Sequence, residues 1–339
     1  MQTFAQMRER RNPQIASKTI FDHISTELSL VEAEFERQAS SNIQVINYLG
    51  EYLRSSGGKR IRPALLILSN YACGGEGSDD NVIRLATVME MLHTATLVHD
   101  DIIDNADTRR GRSSINARFG NQTAVLMGDW LYMSAFETTV GERSLEIIDI
   151  LTRLTRKMTE GELIQLTSVG RIDITADEYF DILCRKTAFL FSACCEVGAI
   201  LGGADESTRK AMRDYGMQLG IAFQIVDDML DVTSDMDELG KSAGTDLIDG
   251  KLTLPLISLI EKEPALRSAF ERIMLDGDYT ELSREDLRDK LAAHGIVEQI
   301  RGVANGSAEG ARKSIDVLPQ TEYRSCLEDI LHFVIDRSS

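Results

Sequence analysis

From about residue 20 onward the apolar residues of this chain recur at three- and four-residue spacing, and strand-like alternation is hardly visible. Val45, Leu49, Tyr52 and Leu53 show the pattern, as do Val82, Leu85, Val88, Met89 and Leu92. Met212, Tyr215, Leu219 and Phe223 repeat it. That period places apolar side chains along one face of a helix, and a sheet cannot use it. Breakers cut the pattern into helix-sized pieces: Gly57-Gly58, Gly74-Gly75, Gly111, Gly120, Gly170, Gly202-Gly203, the glycines between 240 and 250, and Asp276-Gly277. The expected fold is all-α, a single-domain bundle of a dozen or so helices. Residues 21–339 form the domain, and residues 1–20 are an N-terminal extension. Segments 188–203 and 216–230 are apolar nearly all round and belong at the centre.

Charge narrows the class. The 339 residues carry 37 Lys+Arg against 54 Asp+Glu, a formal net charge of −17. A nucleic-acid partner is not expected, because phosphate binding normally needs a basic face. Hydrophobic residues at 43% suffice for a core, and a mean hydropathy of −0.15 excludes a membrane bundle. No apolar run reaches the ~18–20 residues of a spanning helix. The basic start lacks the apolar stretch of a signal peptide. The five cysteines are odd in number and contain no CxxC, which reads as reduced thiols. A soluble cytoplasmic protein is the expectation.

The acid is concentrated twice. His99-Asp100-Asp101-Ile102-Ile103-Asp104 closes the apolar stretch 82–98. Asp100 and Asp104, four residues apart, share a helix face with carboxylates about 6 Å apart. Gln224-Ile225-Val226-Asp227-Asp228-Met229-Leu230-Asp231 repeats the arrangement on a second apolar segment. One DDxxD is commonplace on an acidic helix end. Two, each on a segment too apolar for the surface, point to hard cations such as Mg²⁺, which take oxygen ligands and bind phosphates as further ligands. An acidic protein can hold phosphates this way.

Basic loops accompany the acids. Gly57-Gly58-Lys59-Arg60-Ile61-Arg62-Pro63 is a glycine turn followed by three cations in four positions, with Lys59 and Arg62 spaced to grip one phosphate. Arg109-Arg110-Gly111-Arg112 follows the first acid cluster, and Arg185-Lys186-Thr187 precedes segment 188–204. Gly240-Lys241-Ser242 and Gly250-Lys251 follow the second cluster. A P-loop is rejected, since position 235 is Asp where that motif needs Gly.

Taken in order, GGKRIRP at 57–63, LVHDDIIDNADTRRG at 97–111, RKT at 185–187, FQIVDDMLD at 223–231 and GKSAGTDLIDGKLTLPLI at 240–257 resemble the trans-isoprenyl diphosphate synthases, or polyprenyl synthetases. The likeness runs from about residue 40 to 335, and both aspartate motifs are complete. It implies a helical bundle around a deep cavity with the two motifs facing each other at its mouth. Asp100, Asp101 and Asp104 would hold two Mg²⁺ on the allylic diphosphate, and Asp227, Asp228 and Asp231 a third, with Mn²⁺ as a substitute. Arg109, Lys186, Thr187, Gln224, Lys241 and Lys251 would contact the allylic substrate. Lys59, Arg62, His93 and Arg110 would bind isopentenyl diphosphate. Asp100, Asp104, Lys186 and Asp227 are the candidate catalytic residues. His93 returns to the face of Asp100 two turns earlier, yet only the resemblance makes a lone histidine on an apolar helix a ligand. A homodimer is likewise implied by the family.

Product length is read along the helix that carries the first motif, where one turn of about 5.4 Å matches one isoprene unit. Ala95 and Thr96 are small where synthases of short products carry an aromatic. The stop is expected deeper, at Leu92, Met89 and Val88, with Met133 or Phe136 opposite. The stretch HTATLVHDDIID at 93–104 looks most like octaprenyl-type enzymes, and solanesyl- and decaprenyl-type synthases share the long-chain pattern. A geranylgeranyl-type synthase and a non-catalytic subunit of a two-component synthase stand as the alternatives.

Overall fold

The computed structural model describes residues 20–55, 57–109, 111–234 and 244–337. The first half comprises α1 (Ser25–Gln38), α2 (Gln44–Arg54), α3 (Ile61–Ala72), α4 (Asp80–Ile103), α5 (Ile115–Phe119), α6 (Asn121–Gly141), α7 (Leu145–Ser168) and α8 (Ala176–Leu183). The second half comprises α9 (Phe189–Leu201), α10 (Glu206–Thr233), α11 (Thr245–Ile248), α12 (Leu254–Lys262), α13 (Arg267–Asp276), α14 (Arg284–Ala293), α15 (Ile296–Ser314) and α16 (Glu322–Ile335). Among the described residues the only strands are β1 (Thr108–Arg109) and β2 (Arg112–Ser113), an antiparallel pair made by the basic loop. The all-α expectation holds.

Local chemistry sets the ends that matter. Asp205 caps α10, its carboxylate accepting from the Thr208 amide at 2.8 Å. Asn105, with φ of +50°, stops α4: its amide donates to Ile102 O and the Ala106 amide donates to Asp101 O at 2.9 Å. That paired closure lets the helix end abruptly. The first acid cluster is thereby fixed at a helix terminus.

Helices α6, α4, α3, α9, α10 and α15 pack each on the next, and α7 lies against α9 and α6. The two expected central segments are α9 and the second half of α10; Phe191, Cys194, Cys195, Leu219 and Ala222 are fully buried there. All five cysteines are free thiols. Ile20 is buried in the same core, and residues 1–19 of the expected extension lie outside the described residues. Among the described residues no helix is long and apolar enough to cross a membrane.

Candidate active site

Both acid clusters sit at the C-terminal ends of their helices. α4 and α10 have no basic residue in the last turn. Carboxylates there oppose the helix dipole, at a cost of about 0.3–1 kcal/mol each. The structure shows how the chain offsets that cost. Asp101 is buried and takes Arg109, whose Nε and Nη2 both lie 2.6 Å from Oδ1. Asp104 takes Lys251 Nζ at 3.0 Å. Asp227 takes the guanidinium of Arg337. Among the described residues, Asp100, Asp228 and Asp231 make no ion pair.

All three carboxyls are raised above the ordinary aspartate value. Burial raises Asp100 to about 7, a shift that Lys186 opposes and Glu162 and Asp104 reinforce. Burial likewise raises Asp228 to about 7, although Tyr179 Oη and Gln224 Nε2 each donate to it at 2.7 Å. Asp231 is raised by burial too, while it accepts from the Thr245 hydroxyl at 3.2 Å and the Thr245 and Asp246 amides at 3.4 Å, capping α11. Half-buried Asp246 is pushed well above its ordinary value, first by desolvation and then by Asp231. The site is acid-rich and short of positive charge.

Residues 184–188 form a π turn between α8 and α9, which carries Arg185, Lys186 and Thr187. Such a turn inserts one residue into the helical repeat and re-aims the side chains. Lys186 Nζ pairs with Glu162 at 2.6 Å and donates to Gln165. Thr187 Oγ1 donates to Gln224 Oε1 at 2.8 Å, which links the turn to the second motif. Two glycines let the turn fit. A Cβ on Gly161 would stand 2.6 Å from Arg185 Cβ, and one on Gly220 would stand 2.6 Å from Ala188 Cα.

Lys186 lines two cavities. One, of about 210 Å³, includes Tyr179, Gln224, Asp228, Asp246 and Lys251. The other, of about 160 Å³, includes Asp100, Thr96, Tyr132, Met158 and Glu162. Lys186 thus stands between the two motifs.

The expected residues are only partly brought together. Asp100, Lys186, Thr187, Gln224, Asp228 and Lys251 line these cavities. Asp101 and Arg109 turn away into a smaller cavity beside Glu90 and Arg60. In the glycine turn, Arg60 (φ +48°) faces inward to Glu32 and Glu90. Lys59 and Arg62 lie instead over the Phe333 and Phe191 rings, each at 5.2 Å. His93 is half-buried two turns before Asp100. Arg110 and Lys241 lie outside the described residues.

The residues expected to form the chain-length wall are placed apart. Thr96 borders the cavity at Asp100, but Ala95, Leu92, Met89 and Val88 are buried in the core and do not. Met133 is 62% exposed, whereas its neighbour Tyr132 on α6 lines that cavity. Sequence reading passed over Tyr132, Glu162, Gln165, Tyr179, Asp246 and Arg337. Only Asp246 left a signal, as a further acid inside GKSAGTDLIDGK.

Residues 43–288 match the family model for polyprenyl synthetase. The chain belongs to the polyprenyl synthetase family. Octaprenyl diphosphate synthase of Escherichia coli (strain K12) is 38% identical over 312 residues, covering 91% of this chain and 94% of that protein. A polyprenyl synthase from Caulobacter crescentus CB15, whose crystal structure holds calcium and isoprenyl diphosphate, superposes with a TM-score of 0.89. It is 32% identical and covers 95% of this chain and 98% of its own. A decaprenyl diphosphate synthase from Rhodobacter capsulatus superposes equally well, with a TM-score of 0.89 at 34% identity, covering 95% and 99%. The chain is an enzyme of the prenyltransferase class, with the all-α isoprenoid synthase fold.

Proposed function

We propose that this polyprenyl synthetase is a Mg²⁺-dependent trans-prenyltransferase. It adds isopentenyl diphosphate successively to an allylic diphosphate such as farnesyl diphosphate, giving a long all-trans polyprenyl diphosphate for a quinone side chain. The observation that carries the reading is the pair Asp100 and Asp228. Half-buried Asp100 and buried Asp228, neither held in an ion pair, line separate cavities that have Lys186 in common.

The donor set fits divalent metal bridged by substrate. Among the described residues no three acidic, histidine or cysteine side chains form a ready metal cage. Magnesium needs only one or two carboxylates when phosphate oxygens and waters complete its shell. Asp100 and Asp104 would hold it on one side, and Asp227, Asp228 and Asp231 on the other. A metal held there would supply positive charge against the negative charge of the departing diphosphate.

The chain's own residues do the rest. Lys186 and Lys251 supply fixed positive charge where the leaving group gains negative charge. Tyr179, Gln224 and Thr187 form a hydrogen-bonded string that orients Asp228. Lys59 and Arg62 hold the second diphosphate so that its double bond approaches the allylic carbon. The apolar flank at Met158 and Tyr132 keeps water from the cation. A cytoplasmic homodimer completes the proposal.

Product sizing with labelled isopentenyl diphosphate and a farnesyl diphosphate primer tests the length. Products no longer than geranylgeranyl diphosphate would overturn the long-chain reading. Asp100→Ala tests the site: full activity in that variant would show that the chemistry lies elsewhere.

A further inference from the structure

The second aspartate motif already has a cation on it. Arg337 lies two residues beyond α16, and its Nη2 pairs with Asp227 Oδ1. The same guanidinium stands 5.0 Å from the centre of the Phe223 ring, one turn before Asp227 on α10. The position is fixed from behind, since α16 packs against both α3 and α10. The Asp336 amide donates to His332 O at 2.9 Å and closes that helix just before Arg337.

The contact is not a settled one. Arg337 Nε is buried and finds no hydrogen-bond partner among the described residues. Arg337 is 16% exposed, but Asp227 is 40% exposed and open to a second ligand. Lys59 lies nearby, its Nζ 5.2 Å from the Phe333 ring, and is held below the usual lysine value by burial first and by Arg337 next. Arg337 therefore gains from Asp227 and loses to Lys59.

We infer that Arg337 is a tethered counter-ion for the second motif: it occupies Asp227 in the empty enzyme and must leave before a divalent cation binds there. Arginine and the metal compete for the same oxygen, and the metal brings twice the charge. Loading of the second motif is thereby coupled to release of the C-terminal residues. Arg337 acts as a positioning residue, setting when Asp227 is available. The inference rests on the proposed role of Asp227 as a metal ligand.

The test is Mn²⁺ titration of the full chain without substrate, read from the electron paramagnetic signal of free Mn²⁺. Arg337→Gln should bind Mn²⁺ about tenfold more tightly, equivalent to about 1.4 kcal/mol. Arg337→Lys, which keeps the charge, should stay near the parent. Hydrogen exchange at residues 331–337 of the parent should speed up when Mn²⁺ is added. Unchanged affinity in Arg337→Gln, or unchanged exchange, would overturn the inference and leave Arg337 a structural contact. Asp227→Asn separates the two levels. If it weakens Mn²⁺ binding while Arg337→Gln does nothing, only this inference fails. If it leaves Mn²⁺ binding intact, the metal role of Asp227 fails as well.

Discussion

Lys251 Nζ lies 3.0 Å from Asp104 Oδ1, joining the loop after the second aspartate motif to the end of the first. The Lys251 amide donates to Asp246 O at 2.7 Å, so the backbone is anchored as well as the ammonium. Burial alone would lower this lysine, but Asp104 and Asp246 together hold it above its ordinary value. It therefore stays charged at neutral pH, where the leaving group needs it.

Replacing that charge should harm catalysis more than folding. Lys251→Met is expected to lower kcat/KM by on the order of 10², the scale of losing one preorganised charge-stabilising group. Circular dichroism should be unchanged, and Lys251→Arg should recover part of the rate. Equal kcat/KM in parent and Lys251→Met would remove Lys251 from the site.

Stability without metal should fall as pH rises. Asp100 and Asp228 sit at about 7 in the folded chain, above the unfolded aspartate value of about 3.9. The folded state therefore binds more protons between those values, and unfolding becomes easier as pH climbs through that window. Tm measured without metal should drop from pH 5 to pH 8. Added Mg²⁺ should raise Tm more at pH 8 than at pH 6, because the ligands must be deprotonated. Asp100→Asn should flatten part of the slope. A Tm that ignores pH between 5 and 8 contradicts the assignment.

Gly161 is required by the π turn. Gly161→Ala would push on Arg185 Cβ at 2.6 Å, and Lys186 with it. Activity should fall tenfold or more, about 1.4 kcal/mol in the barrier. Gly302 on α15 has nothing within 4 Å of an added Cβ. Gly302→Ala should instead stabilise the chain by about 0.5–1 kcal/mol and leave activity alone. Similar activity losses in both variants would refute the role of the turn.

Product length should respond at Thr96 and Tyr132, which face the cavity beside Asp100. Thr96→Phe is expected to shorten the product, and Tyr132→Ala to lengthen it. Ala95→Phe should act mainly on stability, at about 1–3 kcal/mol, because Ala95 is fully buried. Chromatography of the dephosphorylated products checks all three. If Ala95→Phe shortens the chain while Thr96→Phe does not, the wall has been placed on the wrong side of α4.

By itself the sequence determined the helices and the two acid clusters, because period and spacing are properties of neighbouring residues. It also singled out Lys59, Lys186 and Lys251 as cations near those acids. Which acid is neutralised was decided by the tertiary structure alone. Asp100 and Asp101 are adjacent, yet a step of about 100° around the helix sends one to the cavity and the other to Arg109. Asp227 and Asp228 divide in the same way between Arg337 and Tyr179. The π turn that aims Lys186 and the 110 positions separating Asp227 from Arg337 leave no local pattern to read. Charge pairing across a fold depends on which helices pack, and only the packed chain brings those side chains within reach.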